Sequence, residues 1–521
     1  MPDAAAPAVP FVLPDPALEP LEWEHNEHLP RSTTPLAMET GLGRPRPGGG
    51  VPSSIYVNGY SYYRAGGGGM GDPSRDPAAL AASRDSVATW REVWLPQIEE
   101  FVAKLEQFDP TSVEPGTWEA RIAEQGRDFT RVFVGVHRVT VVPAQSCAGA
   151  FIEAYVARFG EARRDDALAL LEGYANASSE RASALWALGR MAAADAALLG
   201  ALEAARTRGD DPLAADGVGE PFRARWRAML DRFGFTTRDH LEDLPTWSED
   251  PSEPLGTVIQ FARSGPERDP VGALPAQAAR RERLEAELRA RAAADGTLAP
   301  MLDLLGVAQY LVPATEDHNL LCDQRMIAAS RTRWLRIGAH LLDRRLVAAP
   351  DDVFYHRLDE LLAALERGEA LAAEEIAARR ERQVRWRSVS PPARLGGEPL
   401  PHATNEAAAS PIELRGLAAA RGRYTGRARV IATLAEASTL EPGDVLVTTA
   451  TTPEWTPHFA VIGALVTDAG GVLTHAAIVA REFGIPAVVG AIRATQQIPD
   501  GATVTVDGGA GTVTIAASDG R

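Results

Sequence analysis

Apolar residues recur three or four positions apart over most of the first 390 residues, which is the signature of helices burying one face. Val87, Trp90, Trp94, Ile98, Phe101 and Leu105 fall on one such stripe, and Pro96 is expected to kink it. Residues 165–208 carry Ala and Leu at the same spacing and predict a long helix or an antiparallel pair. Further helices are predicted over 277–294, 319–346 and 359–382. Residues 1–20 and the glycines between 48 and 71 read as flexible, with a strand-like aromatic stretch at 55–63 between the glycines. Near residue 400 the pattern changes. Residues 388–410 hold four prolines among Gly, Asn and Ser and read as a linker. Beyond it, short β-branched runs at 428–431, 444–449, 464–467, 487–489, 503–507 and 512–515 alternate with glycine turns around one amphipathic helix at 475–483. The fold class expected is therefore multidomain: a mainly α-helical domain over 1–387, a flexible linker over 388–410, and a small α/β (β/β/α) domain over 411–521.

Length and composition narrow the function. At 521 residues the chain exceeds one ordinary core, and 45% hydrophobic with 24% charged residues is a soluble globular balance. A formal charge of −17 without a basic cluster excludes a nucleic-acid partner. No basic segment precedes an apolar run near the start, and the longest apolar run, at 459–466, is far short of a membrane span. Cys147 and Cys322 supply neither a disulfide framework nor a zinc cluster. A cytoplasmic protein with no membrane partner is expected.

The segment that carries chemistry is TDAGGVLTHAAIVAREFGIPAVVG, residues 467–490. A strand ends at Thr467, Gly470 and Gly471 turn the chain, and a helix starts beside His475. Free N–H groups and the positive dipole end of a helix start stabilise an anion, and glycines let the backbone approach phosphate oxygens. Neutral imidazole is a good nucleophile near pH 7, and its N–P bond stays reactive toward a hydroxyl.

Gly470, Gly471, His475, Ala476, Ala477, Ile478, Ala480, Arg481, Glu482, Gly484, Ile485, Pro486 and Gly490 together resemble the phosphohistidine mobile domain of the PEP-utilising enzymes. Leu414, Gly416, Gly422 and Gly426, the first strand at 441–446, and the closing turn at 507–511 resemble the same domain. The resemblance is strongest to the phosphohistidine subunit of phenylphosphate and alkylphenol-phosphorylating synthases, and to rifampin phosphotransferase. It implies a swivelling domain in which His475 is phosphorylated, with Gly470, Gly471, Thr474, Arg481 and Thr452 around the phosphoryl group. Thr474 stands where many relatives have Ser, and its hydroxyl is expected to cap the helix.

The chain stops about 35 residues after Pro486, without room for the barrel of phosphoenolpyruvate-linked relatives, and its helical part shows no strand-rich ATP-grasp pattern. The resemblance then implies that ATP and Mg²⁺ are bound mainly by a separate ATP-grasp partner subunit, and that the first 390 residues bind the acceptor. Residues 23–36 and 316–361 resemble the acceptor domain of rifampin phosphotransferase. On that reading His28 or Glu316 takes the acceptor's proton and Arg31 steadies the phosphoryl group, with His318 as a further candidate. His25 and His28 lack the spacing of a metal site, so no metal is expected in this chain. The histidines at 137, 240, 340, 356, 402 and 458 are read as structural or exposed. Trp90, Trp94 and Tyr56 would suit an aromatic pocket, so the expected acceptor is a phenol or alkylphenol. The alternatives are an antibiotic or natural-product alcohol, or a non-catalytic assembly subunit.

Overall fold

The computed structural model describes residues 9–26, 31–40, 54–64, 76–238, 240–389, 391–392, 394–396, 412–452, 455–472 and 474–516. Helices fill the chain from Pro77 to Arg387. The predicted tryptophan stripe is one continuous run: the helix Pro77–Thr89, a π-helical turn Trp90–Trp94 and the helix Leu95–Glu106. Proline at 96 has no N–H to donate, and the widened turn just before it, closed by Leu95 N–H to the Trp90 carbonyl, absorbs the misfit. Trp90, Ile98, Phe101 and Leu105 are buried in one core.

Where one long helix or an antiparallel pair is predicted over 165–208, there are three helices, the first Arg164–Ala169. Asn176 and Ser179 cap each other's backbone N–H groups and start the helix Ala177–Ala193, and Asp195 caps Ala196–Arg208. The two meet at 117°. Gly368, in the left-handed region, likewise divides the predicted 359–382 helix into Leu358–Arg367 and Ala373–Arg387. The reverse correction applies at 319. The helix Ala299–His318 does not stop there but runs through a π-helical turn, Asn319–Gln324, into Arg325–Asp343.

Helical runs Trp118–Phe159 and Gly296–Asp343 are long and apolar enough to cross a membrane by length and composition. Here Val141–Phe159 and Ala299–His318 pack on each other, through Phe151, Ile152, Leu304 and Leu311 among others.

The aromatic stretch at 55–63 is a hairpin. Strands β1 (Trp23–His25), β2 (Ser54–Val57), β3 (Tyr60–Arg64) and β4 (Arg394–Leu395) form an antiparallel sheet in the order β2-β3-β1-β4. Asn58 and Gly59, both at positive φ, make the two-residue turn. Because β4 pairs with β1, and Tyr62 donates to the Pro392 carbonyl, the front of the stretch read as linker belongs to the helical part's own sheet.

The C-terminal part is the α/β unit expected. Strands β5 (Ile412–Arg415), β6 (Leu417–Ala420), β7 (Arg423–Val430), β8 (Val445–Thr448), β9 (Ala464–Thr467), β10 (Ala487–Val489), β11 (Thr503–Asp507) and β12 (Thr512–Ile515) form one sheet in the order β5-β12-β11-β7-β8-β9-β10-β6. β7 to β10 are parallel, and β8 and β9 are buried on both faces, as their uninterrupted apolar runs require. The helix His475–Glu482 crosses from β9 to β10 and faces the helical domain, where Ala476, Ala477 and Phe459 join one apolar core with Leu185, Trp186 and Phe261.

Candidate active site

Residue by residue, the site forms where the C-terminal end of β9 meets the last turn of Ala299–His318. After Thr467 the chain turns through Gly470, at φ +112°, where an added Cβ would lie 3.1 Å from the Thr474 hydroxyl. Thr474 does not cap the helix as expected. Its hydroxyl donates to the Gly471 carbonyl (2.8 Å), closing the turn, so the first N–H groups of His475–Glu482 receive no side-chain cap. Gly471 faces open space and does not line the cavity.

His475 Nδ1 lies 3.2 Å from both carboxylate oxygens of Glu316, a residue only 4% exposed. Ser178 donates to the same carboxylate at 3.1 Å. Burial pushes the Glu316 pKa up, but the imidazole, the Ser178 hydroxyl and Arg181 outweigh it and hold the group below its ordinary value. An ionised carboxylate only accepts, so Nδ1 carries the hydrogen. Nε2 is the other ring nitrogen, 3.4 Å from the Thr456 hydroxyl.

A cavity of about 160 Å³ opens beside this pair. His475, Glu316, His318, Thr452, Thr474 and Gly470 line it, as do His137, His240, Asn319, Asp323 and Thr451. The hydroxyls of Thr451 and Thr452 are buried there without a hydrogen-bond partner among the described residues. Unpaired buried hydroxyls are costly, and two at one cavity wall are donors suited to phosphoryl oxygens.

The other expected residues lie elsewhere. Arg31 donates to the backbone carbonyls of Arg387 and Ala432 and does not line the cavity. Arg481 is spent on the carbonyls of Ala419 (2.8 Å) and Val472 (2.9 Å) and on Glu172 (3.0 Å), so it braces the helix against its own sheet and the helical domain. His28 falls outside the described residues. His25 is buried against Tyr60 and Tyr62, and burial pulls its pKa down to about 4. Trp90 and Trp94 belong to the helical core, and neither they nor Tyr56 line the cavity, whose only aromatic rings among the described residues are imidazoles.

Sequence reasoning missed His137, His240, Asp323 and Thr451. Of these, Thr451 alone had a nearby signal, as the neighbour of Thr452. The π-helical turn that swings Asn319 and Asp323 to the cavity leaves no mark in residue periodicity.

Fold and site together define a small mixed α/β domain that presents one partly buried histidine, pinned by a carboxylate, to a cavity between it and the helical domain. Residues 440–511 match the family model "PEP-utilising enzyme, mobile domain" and residues 137–316 match "Rifampicin phosphotransferase fourth domain". Residues 440–511 are thus a mobile domain of the PEP-utilising kind, preceded by a segment similar to a rifampicin phosphotransferase domain. The chain is 34% identical over 565 aligned positions to chondramide synthase of Chondromyces crocatus, covering 96% of this chain and 14% of that protein. It is 32% identical to rifampicin phosphotransferase of Streptomyces sviceus (58% of this chain, 36% of that protein) and 52% identical to phosphoenolpyruvate synthase of Aeropyrum pernix (20% and 13%). The chain thus spans little more than a third of these relatives at most.

Proposed function

We propose that His475 accepts a phosphoryl group on Nε2 and transfers it to a hydroxyl of a small organic acceptor bound in the adjoining cavity. The observation that carries this reading is the Nδ1 contact to Glu316: it fixes the tautomer and ring angle, leaving one nitrogen for phosphorus. Glu316 is thereby a positioning residue, not the base that takes the acceptor's proton. Thr451 and Thr452 would meet the phosphoryl oxygens.

Loading takes place elsewhere, with the α/β domain moved away from the helical domain. The described residues from 77 to 387 are helical and lack the strand-rich pattern of an ATP-grasp unit, so MgATP is assigned to such a unit on a partner chain or in a longer polypeptide. Among the described residues the cavity has no aromatic side chain besides imidazole, which favours an alcohol over a phenol, and relatives named for rifampicin and chondramide favour a natural product.

The transfer step is testable without the nucleotide partner. The protein phosphorylated by phosphoramidate should discharge to polyhydroxylated macrolide or ansamycin alcohols faster than to a panel of phenols. Discharge to water alone, at the same rate with every acceptor, would defeat the proposal.

A further inference from the structure

The cavity holds a second cluster that the phosphoryl relay does not use. His137 comes from the helix Trp118–Val139, His318 ends Ala299–His318, and Asp323 sits in the π-helical turn that follows. One donor atom of each lies within 4.8 Å of the others. His137 Nε2 is 3.6 Å and His318 Nε2 3.7 Å from the same oxygen, Asp323 Oδ2. These separations are long for hydrogen bonds. They are near the roughly 3.4 Å that separates two ligands held about 2.0–2.2 Å from one tetrahedral ion.

The histidine tautomer points the same way. His137 Nδ1 lies 2.8 Å from the Phe133 carbonyl oxygen, which can only accept, so Nδ1 carries the hydrogen and Nε2 is the nitrogen turned toward Asp323. The contact is satisfied by a positive charge between ring and carboxylate, a proton on Nε2 or a bound metal ion, and the 3.6 Å separation leaves room for the larger of the two. A backbone carbonyl holding the far imidazole N–H is also how metal-ligating histidines are oriented.

We propose that His137, His318 and Asp323 bind a divalent first-row transition ion, with zinc the best match to two imidazoles, one carboxylate and a fourth position open to the cavity. This departs from the sequence reading, which expected no metal. The role we assign the ion rests on the phosphoryl-transfer reading, but the site does not. As a Lewis acid it would hold the acceptor hydroxyl, whose proton passes to water on coordination. The alkoxide oxygen then forms the new O–P bond while the Nε2–P bond breaks, and the electron pair returns to His475.

The full chain, stripped with a chelator, is titrated with Zn²⁺ and separately with Co²⁺. One equivalent should bind, and Co²⁺ should give the intense visible bands of four-coordinate geometry. His137→Ala and Asp323→Ala should each weaken binding at least about 100-fold and abolish those bands. His137→Gln, closer in volume, serves the same purpose should the alanine variant fail to fold. His475→Ala should bind metal normally, so failure of the relay and failure of the site are separable. Absence of saturable binding, or unchanged affinity in folded His137 and Asp323 variants, would overturn the proposal.

Discussion

At the scale of single residues, the site trades stability for readiness. Thr452 keeps a buried hydroxyl without a hydrogen-bond partner among the described residues, which is destabilising by about 1–3 kcal/mol until something occupies the cavity. Thr452→Val, nearly equal in shape, should therefore raise unfolding stability by about 1 kcal/mol in urea titrations while slowing phosphoryl transfer from His475 at least about tenfold. A variant that loses both stability and transfer would show the hydroxyl to be structural. Glu316→Gln tests the positioning role: the amide keeps the volume but not the charge that fixes the tautomer, so transfer should fall about 100-fold or more with the fold intact. An unaltered rate would remove Glu316 from the account. His475 was legible because its motif is local and dense. Glu316 and His318 were legible only through resemblance to relatives, since nothing in spacing ties residue 316 to residue 475. Arg481 lies in the same motif, yet it serves packing, and no sequence pattern separates an arginine aimed at phosphate from one that satisfies carbonyls.

At the scale of elements, the turn between β9 and the helix His475–Glu482 sets where the imidazole stands. Gly470 is at φ +112°, a conformation in which a side chain is strained, whereas an added Cβ at Gly471 meets nothing. Gly470→Ala should cost about 1–3 kcal/mol and displace His475, and Gly471→Ala should be close to neutral for stability. Comparing the two denaturation curves checks this, and equal costs would contradict it. The parallel strands were readable because buried strands need unbroken β-branched runs, and the helix boundaries were not. Asn176, Asp195 and Gly368 break apolar patterns that periodicity alone continues, and the turn at Asn319–Gln324 carries on a helix where a new one was expected to start.

At the scale of the whole molecule, the α/β domain is docked on the helical domain, and charge is buried at the junction. Burial, helped by Glu316, pushes the Glu482 carboxyl up to about 8, and Asn176 donates to it at 3.1 Å. Arg481 opposes this shift, while burial raises Glu172 in the same direction. Docking thus takes up a proton at Glu482. Docking should be strongest at low pH, weaken as pH rises from the ordinary carboxylate range toward 8, and level off above it. Glu316, held low, has the opposite sign and acts only below the ordinary carboxylate range. Energy transfer between labels on the two domains should follow this trend, and Glu482→Gln should flatten it; a slope that survives in the variant would assign it to another group.

The central claim is that one nitrogen of one imidazole carries the phosphoryl group. The most direct measurement is to phosphorylate the protein, keep it at alkaline pH, and locate the phosphorus by fragmentation mass spectrometry and by ³¹P–¹H coupling to the imidazole ring. The account predicts a single acid-labile phosphoryl group on Nε2 of His475, absent from His475→Ala. Phosphorus on another side chain, or on Nδ1 with the Glu316 contact broken, would contradict it.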